Sequence, residues 1–126
     1  MSSLQRAVLL MLGLSITGSL AAQEIPVGKF TQQSGEELFR NICQGCHMPD
    51  AKGATGAGTY PALAANPRLA AVVYPITVVL HGQRAMPGFA EGLDDAQIAS
   101  VINYVRSHFG NRYKDVVTPE AVKAHR

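Results

Sequence analysis

The clearest helical pattern lies in the last third of the chain. Asp94 and Gln97 form a capping box, in which each side chain bonds the backbone of the other residue. Apolar residues follow at helical spacing: Ile98, Val101, Ile102, Val105 and Phe109. Gly110 comes directly after them, and glycine commonly ends a helix. The pattern predicts an amphipathic helix from Asp94 to Phe109.

Two earlier stretches also carry helical signals. Ser34, with a glutamate three residues later, starts a second capping box, and an apolar stripe predicts a helix to about Cys43. The stretch Val72–Leu80 is ambiguous, because its Val, Ile and Thr residues favour a strand. Tyr74 and Pro75 fit the start of a short helix equally well, so the pattern alone leaves both structures open.

The N-terminus has the composition of an export signal. Arg6 precedes an apolar run of 14 residues, Ala7 to Leu20, and small residues lead up to Ala22. An uncleaved membrane anchor is the alternative, but a span needs about 20 apolar residues. We therefore predict a signal peptide over residues 1–22 and no membrane span after its cleavage. Export predicts a periplasmic location.

The remaining organisation follows from the same patterns. Residues 23–33 are predicted as an extended lead-in, residues 34–110 as the folded domain and residues 111–126 as a polar tail. A glycine-rich loop spans residues 52–59.

Composition narrows the class of protein. The chain has 126 residues, 47% of them hydrophobic and 16% charged, which fits one folded domain and excludes a disordered chain. The net charge of +2 is spread along the sequence, and no basic stripe indicates nucleic-acid binding. Aromatic residues make up only 6%, so a core built from side chains alone would be small. We expect another group to complete it.

The strongest chemical motif is Cys43-Gln44-Gly45-Cys46-His47. This pattern is typical of covalent c-type haem attachment: the two thiols add to the haem vinyl groups, and the histidine binds the iron. A redox dithiol would use the same cysteines, but such motifs occur next to a βαβ pattern. The sequence around these cysteines shows no strand pattern. A zinc site would need a further pair of ligands. The motif therefore predicts haem c.

A second iron ligand is expected in a loop before the last helix. Met86 lies there, followed by Pro87 and Gly88, and such a loop can close over a flat cofactor. Met48 directly follows the motif histidine and cannot reach the opposite face. The remaining candidates are three histidines: His81, His108 and His125.

Together, these residues resemble the class I cytochromes c. The C-x-x-C-H motif is followed by Met86-Pro87 in a loop before an amphipathic C-terminal helix, as in that family. Gly35, Phe39 and Tyr104 are similar to the residues at which the family's first and last helices cross. The resemblance implies an all-α, single-domain fold wrapped around one covalently bound haem c, with His47 and Met86 as iron ligands. It also resolves Val72–Leu80 in favour of a helix.

The resemblance implies further roles around the cofactor. The carbonyl of Pro61 would accept a hydrogen bond from the His47 ring. The chain has no Trp, which many relatives place near the haem propionates. Four residues are candidates to replace it: Tyr60, Tyr74, Arg68 and Arg84.

The function implied is one-electron transfer rather than catalysis. The chain resembles small periplasmic cytochrome subunits that accept electrons from flavin- or quinone-dependent dehydrogenases and pass them to a downstream cytochrome or oxidase of the respiratory chain. A small haem enzyme of peroxidase type is the alternative, and it would need an open distal site. The loops expected at the haem edge carry few charges, which predicts docking through an apolar contact: Ala51, Gly53, Ala54, Ala85, Pro87 and Phe89.

Overall fold

The computed structural model describes residues 29–126. The predicted signal peptide and the first part of the predicted lead-in, residues 23–28, lie outside that range. Residues 29–33 form no helix or strand. They are held against the last long helix by Gln97, whose Nε2 donates to the carbonyls of Phe30 and Gln32, both at 2.7 Å.

The first helix, α1, consists of three consecutive segments. An α-helical turn, Gly35–Leu38, continues into a π-helical turn, Phe39–Cys43, and a second α-helical turn, Gln44–His47. Ser34 caps the start, as predicted. The helix runs one turn beyond the predicted end at about Cys43. The last turn carries no apolar stripe, and two of its side chains, Cys46 and His47, line a cavity.

The ambiguous stretch forms a helix, as the family resemblance implies. Helix α2 spans Val73–His81, and a 3₁₀ helix, Pro67–Ala70, precedes it. The Asn66 side chain caps the 3₁₀ helix by accepting from the N–H of Arg68 at 2.9 Å. Tertiary packing overrides the strand preference of the β-branched residues here.

The last long helix, α3, spans Asp95–Ser107. Both bonds of the predicted capping box are present, between Asp94 and Gln97. The helix ends two residues before the predicted Phe109, because the backbone of His108 is extended, with φ −118° and ψ 179°. Phe109 and Gly110 then adopt positive φ angles of 55° and 81°. Two successive left-handed residues turn the chain away from the helix axis.

Helices α1 and α3 cross at Gly35. A Cβ at this position would lie 2.3 Å from the Ser100 carbonyl oxygen, so only glycine allows the helices to approach this closely. The rings of Phe39 and Tyr104 meet beside the crossing, with centroids 5.9 Å apart. The crossing predicted from the family resemblance is confirmed. The core lies around it, with Leu38, Ile76 and Ile98 fully buried.

The glycine-rich loop contains a short hairpin that the sequence did not predict. Strands β1, Ala54–Thr55, and β2, Thr59–Tyr60, pair antiparallel. With two residues in each strand, the structure is still mostly helical, which agrees with the predicted all-α class.

The segment after Gly110 packs on the domain, although its composition predicts a polar tail. Its helix α4, Pro119–Lys123, begins at the cap residue Thr118. Val117 and Val122 are buried, and the Asn103 side chain makes two hydrogen bonds of 2.8 Å to the Val117 backbone. These few apolar residues are too widely spaced to give a sequence signal. Within residues 29–126, no helix is both long and apolar enough to span a bilayer.

Candidate functional site

A cavity of about 890 Å³ opens between α1, α2, α3 and the loop that follows α2. Its volume lies in the upper part of the range of small-molecule and cofactor sites, about 300–1,000 Å³. All four predicted site residues line it: Cys43, Cys46, His47 and Met86. The fold thus brings the motif and the distant methionine to one cavity.

His47 is fixed by its position and by one hydrogen bond. It is the last residue of α1 and only 7% exposed. Its Nδ1 lies 2.8 Å from the carbonyl oxygen of Pro61, as predicted. Because a carbonyl can only accept, Nδ1 carries the hydrogen, and Nε2 of the neutral ring keeps its lone pair for a metal.

The Pro61 carbonyl is held in turn by tight backbone packing. Gly53 has a φ of +68°, and a Cβ there would lie 2.1 Å from the Tyr60 carbonyl oxygen. The Gly53 N–H donates to the His47 carbonyl at 3.0 Å. The loop therefore folds back onto the end of α1 and leaves the ring of His47 little freedom.

Ala51 corrects one prediction about this loop. It was expected among the exposed loop residues at the haem edge, but it is fully buried. Its carbonyl accepts from the N–H groups of Leu63 and Ala64 at 2.7 and 2.9 Å, so it anchors the loop from inside.

The two cysteines are not joined in a disulfide. Cys43 is half-buried and Cys46 is exposed. Burial, together with the neighbouring Cys46, raises the pKa of the Cys43 thiol to about 11. Redox-active dithiols have the opposite shift, and the cysteines lie on a helix rather than in a βαβ unit. A Cβ on Gly45, between them, would meet no atom within 4 Å, so the backbone there is open to a large group.

The Met86 loop is shaped by backbone hydrogen bonds. Gln83 and Met86 exchange two N–H···O bonds of 3.0 Å. Gly82 and Arg84 adopt positive φ angles of 77° and 54°, which make the tight reversal possible. The Phe89 N–H donates to the Val79 carbonyl at 2.9 Å and ties the end of the loop to α2. Met86 itself is half-buried.

None of the alternative second ligands lines the cavity. One ring nitrogen of each of the three histidines lies 2.7–2.9 Å from a backbone carbonyl outside the cavity: His81 Nε2 from His125, His108 Nδ1 from Tyr104, and His125 Nδ1 from Ala121. Met48 caps the end of α1 with a φ of 66°, and it also lies outside the cavity wall. In residues 29–126, no cluster of three or more His, Cys, Asp or Glu side chains could hold a metal ion by itself.

Comparison with known families decides the identity of the domain. Residues 30–105 match the family model described as cytochrome C oxidase, cbb3-type, subunit III. The chain belongs to this cytochrome c family. Membership implies haem c as the cofactor and electron transfer as the general role of the domain.

Individual relatives of this cytochrome are subunits of dehydrogenases. It is 33% identical to the fructose dehydrogenase cytochrome subunit of Gluconobacter japonicus, over 71% of this chain and 21% of that protein. It is 30% identical to the cytochrome c subunit of a quinone alcohol dehydrogenase from Gluconacetobacter polyoxogenes, over 77% of this chain and 23% of that protein. The gluconate 2-dehydrogenase cytochrome c subunit of Pantoea cypripedii is 28% identical, over 75% of this chain and 24% of that protein. The cytochrome therefore spans less than a quarter of the length of these relatives.

The cavity walls fit a haem. Two thiols, an imidazole and a thioether line one cavity, and the rest of its wall is mainly apolar. Helical stripes that face a cofactor and those that face a protein core look alike in sequence, so the pattern alone did not identify this wall. These apolar residues come mainly from α1, α2 and α3: Ile42, Val78, Val79, Val101, Ile102 and Val105.

The polar part of the wall fits the two carboxylates that a haem carries. All four residues considered as replacements for the missing Trp line the cavity: Tyr60, Arg68, Tyr74 and Arg84. Neither arginine forms an ion pair with a carboxylate among the described residues. Two unpaired guanidinium groups on one cavity favour an anionic ligand group there.

Proposed function

We propose that this cytochrome is a periplasmic carrier of single electrons, which accepts them from a dehydrogenase and passes them to a downstream cytochrome or oxidase of the respiratory chain. The observation that carries the proposal is the convergence of Cys43, Cys46, His47 and Met86 on one cavity. In each turnover the donor loses one electron and the acceptor gains it, and no bond in the protein is made or broken.

The four converging residues have separate roles in the proposal. Cys43 and Cys46 hold one haem c through thioether bonds, and His47 and Met86 provide its two iron ligands. When bound, haem c supplies an iron that changes between the ferrous and ferric states. The Pro61 carbonyl, 2.8 Å from Nδ1, would orient the His47 ring toward the iron. Met86 would take the iron position at which oxygen, peroxide or a substrate could otherwise bind.

The apolar walls support electron transfer rather than catalysis. With a haem in place, these walls would limit the water around the iron, so little solvent would have to rearrange when the charge changes. A haem enzyme of peroxidase type needs an open position and a polar group that can move protons. Among the described residues, His47 is the only histidine in the cavity wall, and its Nδ1 is engaged by Pro61. These features favour the carrier over the enzyme.

The proposed donor is a flavin- or quinone-dependent dehydrogenase. The names of the relatives support it, since they describe cytochrome subunits of fructose and alcohol dehydrogenases. The apolar N-terminal run supports cleavage near Ala22 and delivery to the periplasm. The proposal assigns one haem because residues 29–126 contain one C-x-x-C-H motif.

Two measurements test the proposal. The intact mass of the exported full-length gene product should equal the chain without residues 1–22 plus one haem. Mixing it with candidate dehydrogenases and their substrates should reduce it stoichiometrically, with one electron per protein. Co-purification of tagged protein with the donor would indicate a tightly bound subunit rather than a diffusing carrier. An exported chain without haem, or fast turnover of peroxide by the unaltered protein, would contradict it.

A further inference from the structure

Arg106 is the most deeply buried charged side chain among the described residues, with 1% exposure. It lies on α3 directly after Val105, which faces the cavity. Its Nε donates to the carbonyl of Leu69 at 2.8 Å, and its Nη2 donates to the carbonyl of Ala70 at 3.3 Å. The planar guanidinium thus holds two successive carbonyls at the end of the 3₁₀ helix.

The other side of the guanidinium binds the segment after Gly110. Nη2 donates to the Asp115 carboxylate at 2.7 Å, and Nη1 donates to the Asp115 carbonyl. The hydrogen bond to the carboxylate holds the pKa of Asp115 below its usual value. The ring of Tyr113 lies 5.5 Å from the centre of the guanidinium. Arg106 therefore joins the C-terminal segment to the 3₁₀ helix.

Two further residues of the C-terminal segment contact the same part of the wall. Asn111 accepts from the Asn66 N–H at 2.9 Å and donates to the Leu63 carbonyl at 2.8 Å. The Tyr113 hydroxyl donates to the Asn66 carbonyl at 3.1 Å. Leu63 and Asn66 both line the cavity. We call Arg106, Asn111, Tyr113 and Asp115 the strap.

The wall that the strap holds cannot stabilise itself. A 3₁₀ helix of four residues has weak internal hydrogen bonds, and the carbonyls at its end have no helical partner. The strap supplies partners for two of them. This same short helix carries Arg68 and Leu69 into the cavity wall, so the positions of both depend on contacts made behind the wall.

We propose that Arg106 is a positioning residue of the cofactor cavity, which fixes Arg68 and Leu69 on the cavity wall by joining the 3₁₀ helix to the segment after Gly110. The inference rests on the proposed function in one respect, namely that the cavity holds haem c. The C-terminal segment would thus influence the reduction potential through Arg106, although residues 111–115 do not line the cavity.

A double-mutant cycle on the full-length holoprotein separates positioning from charge. Arg106→Lys keeps the charge but loses the planar fork, and Arg68→Met removes the positioned group. Each single variant should lower the reduction potential, because less positive charge remains close to the iron. In the double variant the shift should equal the larger single shift rather than the sum, since the lysine variant has already displaced Arg68. Arg112→Met, a change at an exposed arginine of the same segment, is the matched control and should leave the potential unchanged.

Hydrogen exchange distinguishes positioning from general stability. In Arg106→Lys, the amides of residues 68–72 should exchange at least tenfold faster, while those at the crossing of α1 and α3 keep their rates. Asp115→Asn, which leaves the carbonyl contacts of Arg106 in place, should show a smaller change of the same kind and is the fallback if Arg106→Lys fails to fold. A wild-type potential in Arg106→Lys, additive shifts in the cycle, or a uniform rise in exchange would overturn the inference. Absence of haem from the unaltered protein would overturn the proposed function instead, and the exchange measurement would still test the strap.

Discussion

The two sides of the cavity are built differently. On the His47 side, a helix end, a buried ring and a side-chain hydrogen bond to Pro61 fix the ligand. On the Met86 side, a half-buried side chain extends from a loop that backbone bonds and positive φ angles shape. No hydrogen bond holds the thioether itself, since sulfur is at best a weak acceptor. We therefore expect the His47 side to stay in place under changes that displace the Met86 side.

This asymmetry suits the proposed carrier. The proposed ligand His47 lies on the rigid side, where its orientation is set in advance. The proposed ligand Met86, which would tune the potential and close the iron to other molecules, lies on the adaptable side. The following predictions test this difference, starting with the attachment that both sides depend on.

Cys43→Ser combined with Cys46→Ser should have the largest effect. Without thioether bonds, the exported protein should lose stable haem. A small domain poor in aromatic residues buries little surface without the macrocycle, so the protein should also be largely unfolded. Intact mass and circular dichroism measure the two effects. A haem-free variant that is well folded and resists proteolysis would show that the core does not need the cofactor.

Met86→Ala should leave the haem attached but remove its second ligand. A thioether favours ferrous iron, so its loss should lower the reduction potential, and the open position should confer peroxidase-like activity. Electrochemistry and a peroxide assay measure these changes. Met48→Ala is the matched control, because Met48 lies outside the cavity wall. If the Met86→Ala protein keeps its methionine–iron absorption band, another methionine is the ligand.

Gly53→Ala and Gly82→Ala compare the two sides directly. Each glycine has a positive φ, and an added Cβ would lie 2.1 Å from the Tyr60 oxygen or 2.5 Å from the Met86 oxygen. Left-handed backbone alone costs alanine about 1–2 kcal/mol, and the close contacts add to this. Gly82→Ala should weaken the methionine–iron band at a modest loss of stability. Gly53→Ala should lower the free energy of unfolding more and leave that band intact.

Chemical denaturation and visible spectra of both glycine variants make the comparison. Gly58→Ala is the control, because a Cβ at Gly58 meets no atom within 4 Å. Equal loss of the band in Gly53→Ala and Gly82→Ala would show that the two sides do not differ in rigidity.

The smallest effect is expected for docking. Ala85 and Pro87 are exposed beside Met86, whereas Lys52 forms an exposed pair with Asp50 at 3.7 Å. Such surface pairs contribute about 0–1 kcal/mol. Electron transfer from the donor should therefore depend weakly on ionic strength, and Ala85→Glu should slow it more than Lys52→Gln. Stopped-flow rates over a salt series measure this, and a collapse between low and physiological salt would indicate electrostatic steering instead.

The sequence predicted those parts of the structure that local signals encode. Capping boxes placed the starts of α1 and α3, and the C-x-x-C-H motif with Met86 placed the four residues that the cavity brings together. Helix α2 needed the family resemblance, because β-branched residues favour a strand until packing decides. The π-helical turn in α1 has no local signal, since it inserts one residue without changing the composition.

Long-range contacts were the main part that the sequence did not predict. The burial of Arg106 depends on carbonyls at positions 69, 70 and 115, and nothing near Arg106 in the sequence indicates them. Likewise, Ala51 belongs to a small-residue loop by composition, but its carbonyl anchors two distant N–H groups. Backbone acceptors carry no residue-type signature, so a contact to them is visible only in the folded chain.

The optical spectrum of the oxidised holoprotein tests the central claim most directly. The claim is that His47 and Met86 both bind the iron and leave no position open. The unaltered protein should show a methionine–iron(III) charge-transfer band that disappears in Met86→Ala and persists in Met48→Ala. A high-spin spectrum of the unaltered protein, without that band, would contradict the claim and favour a haem enzyme with an open site.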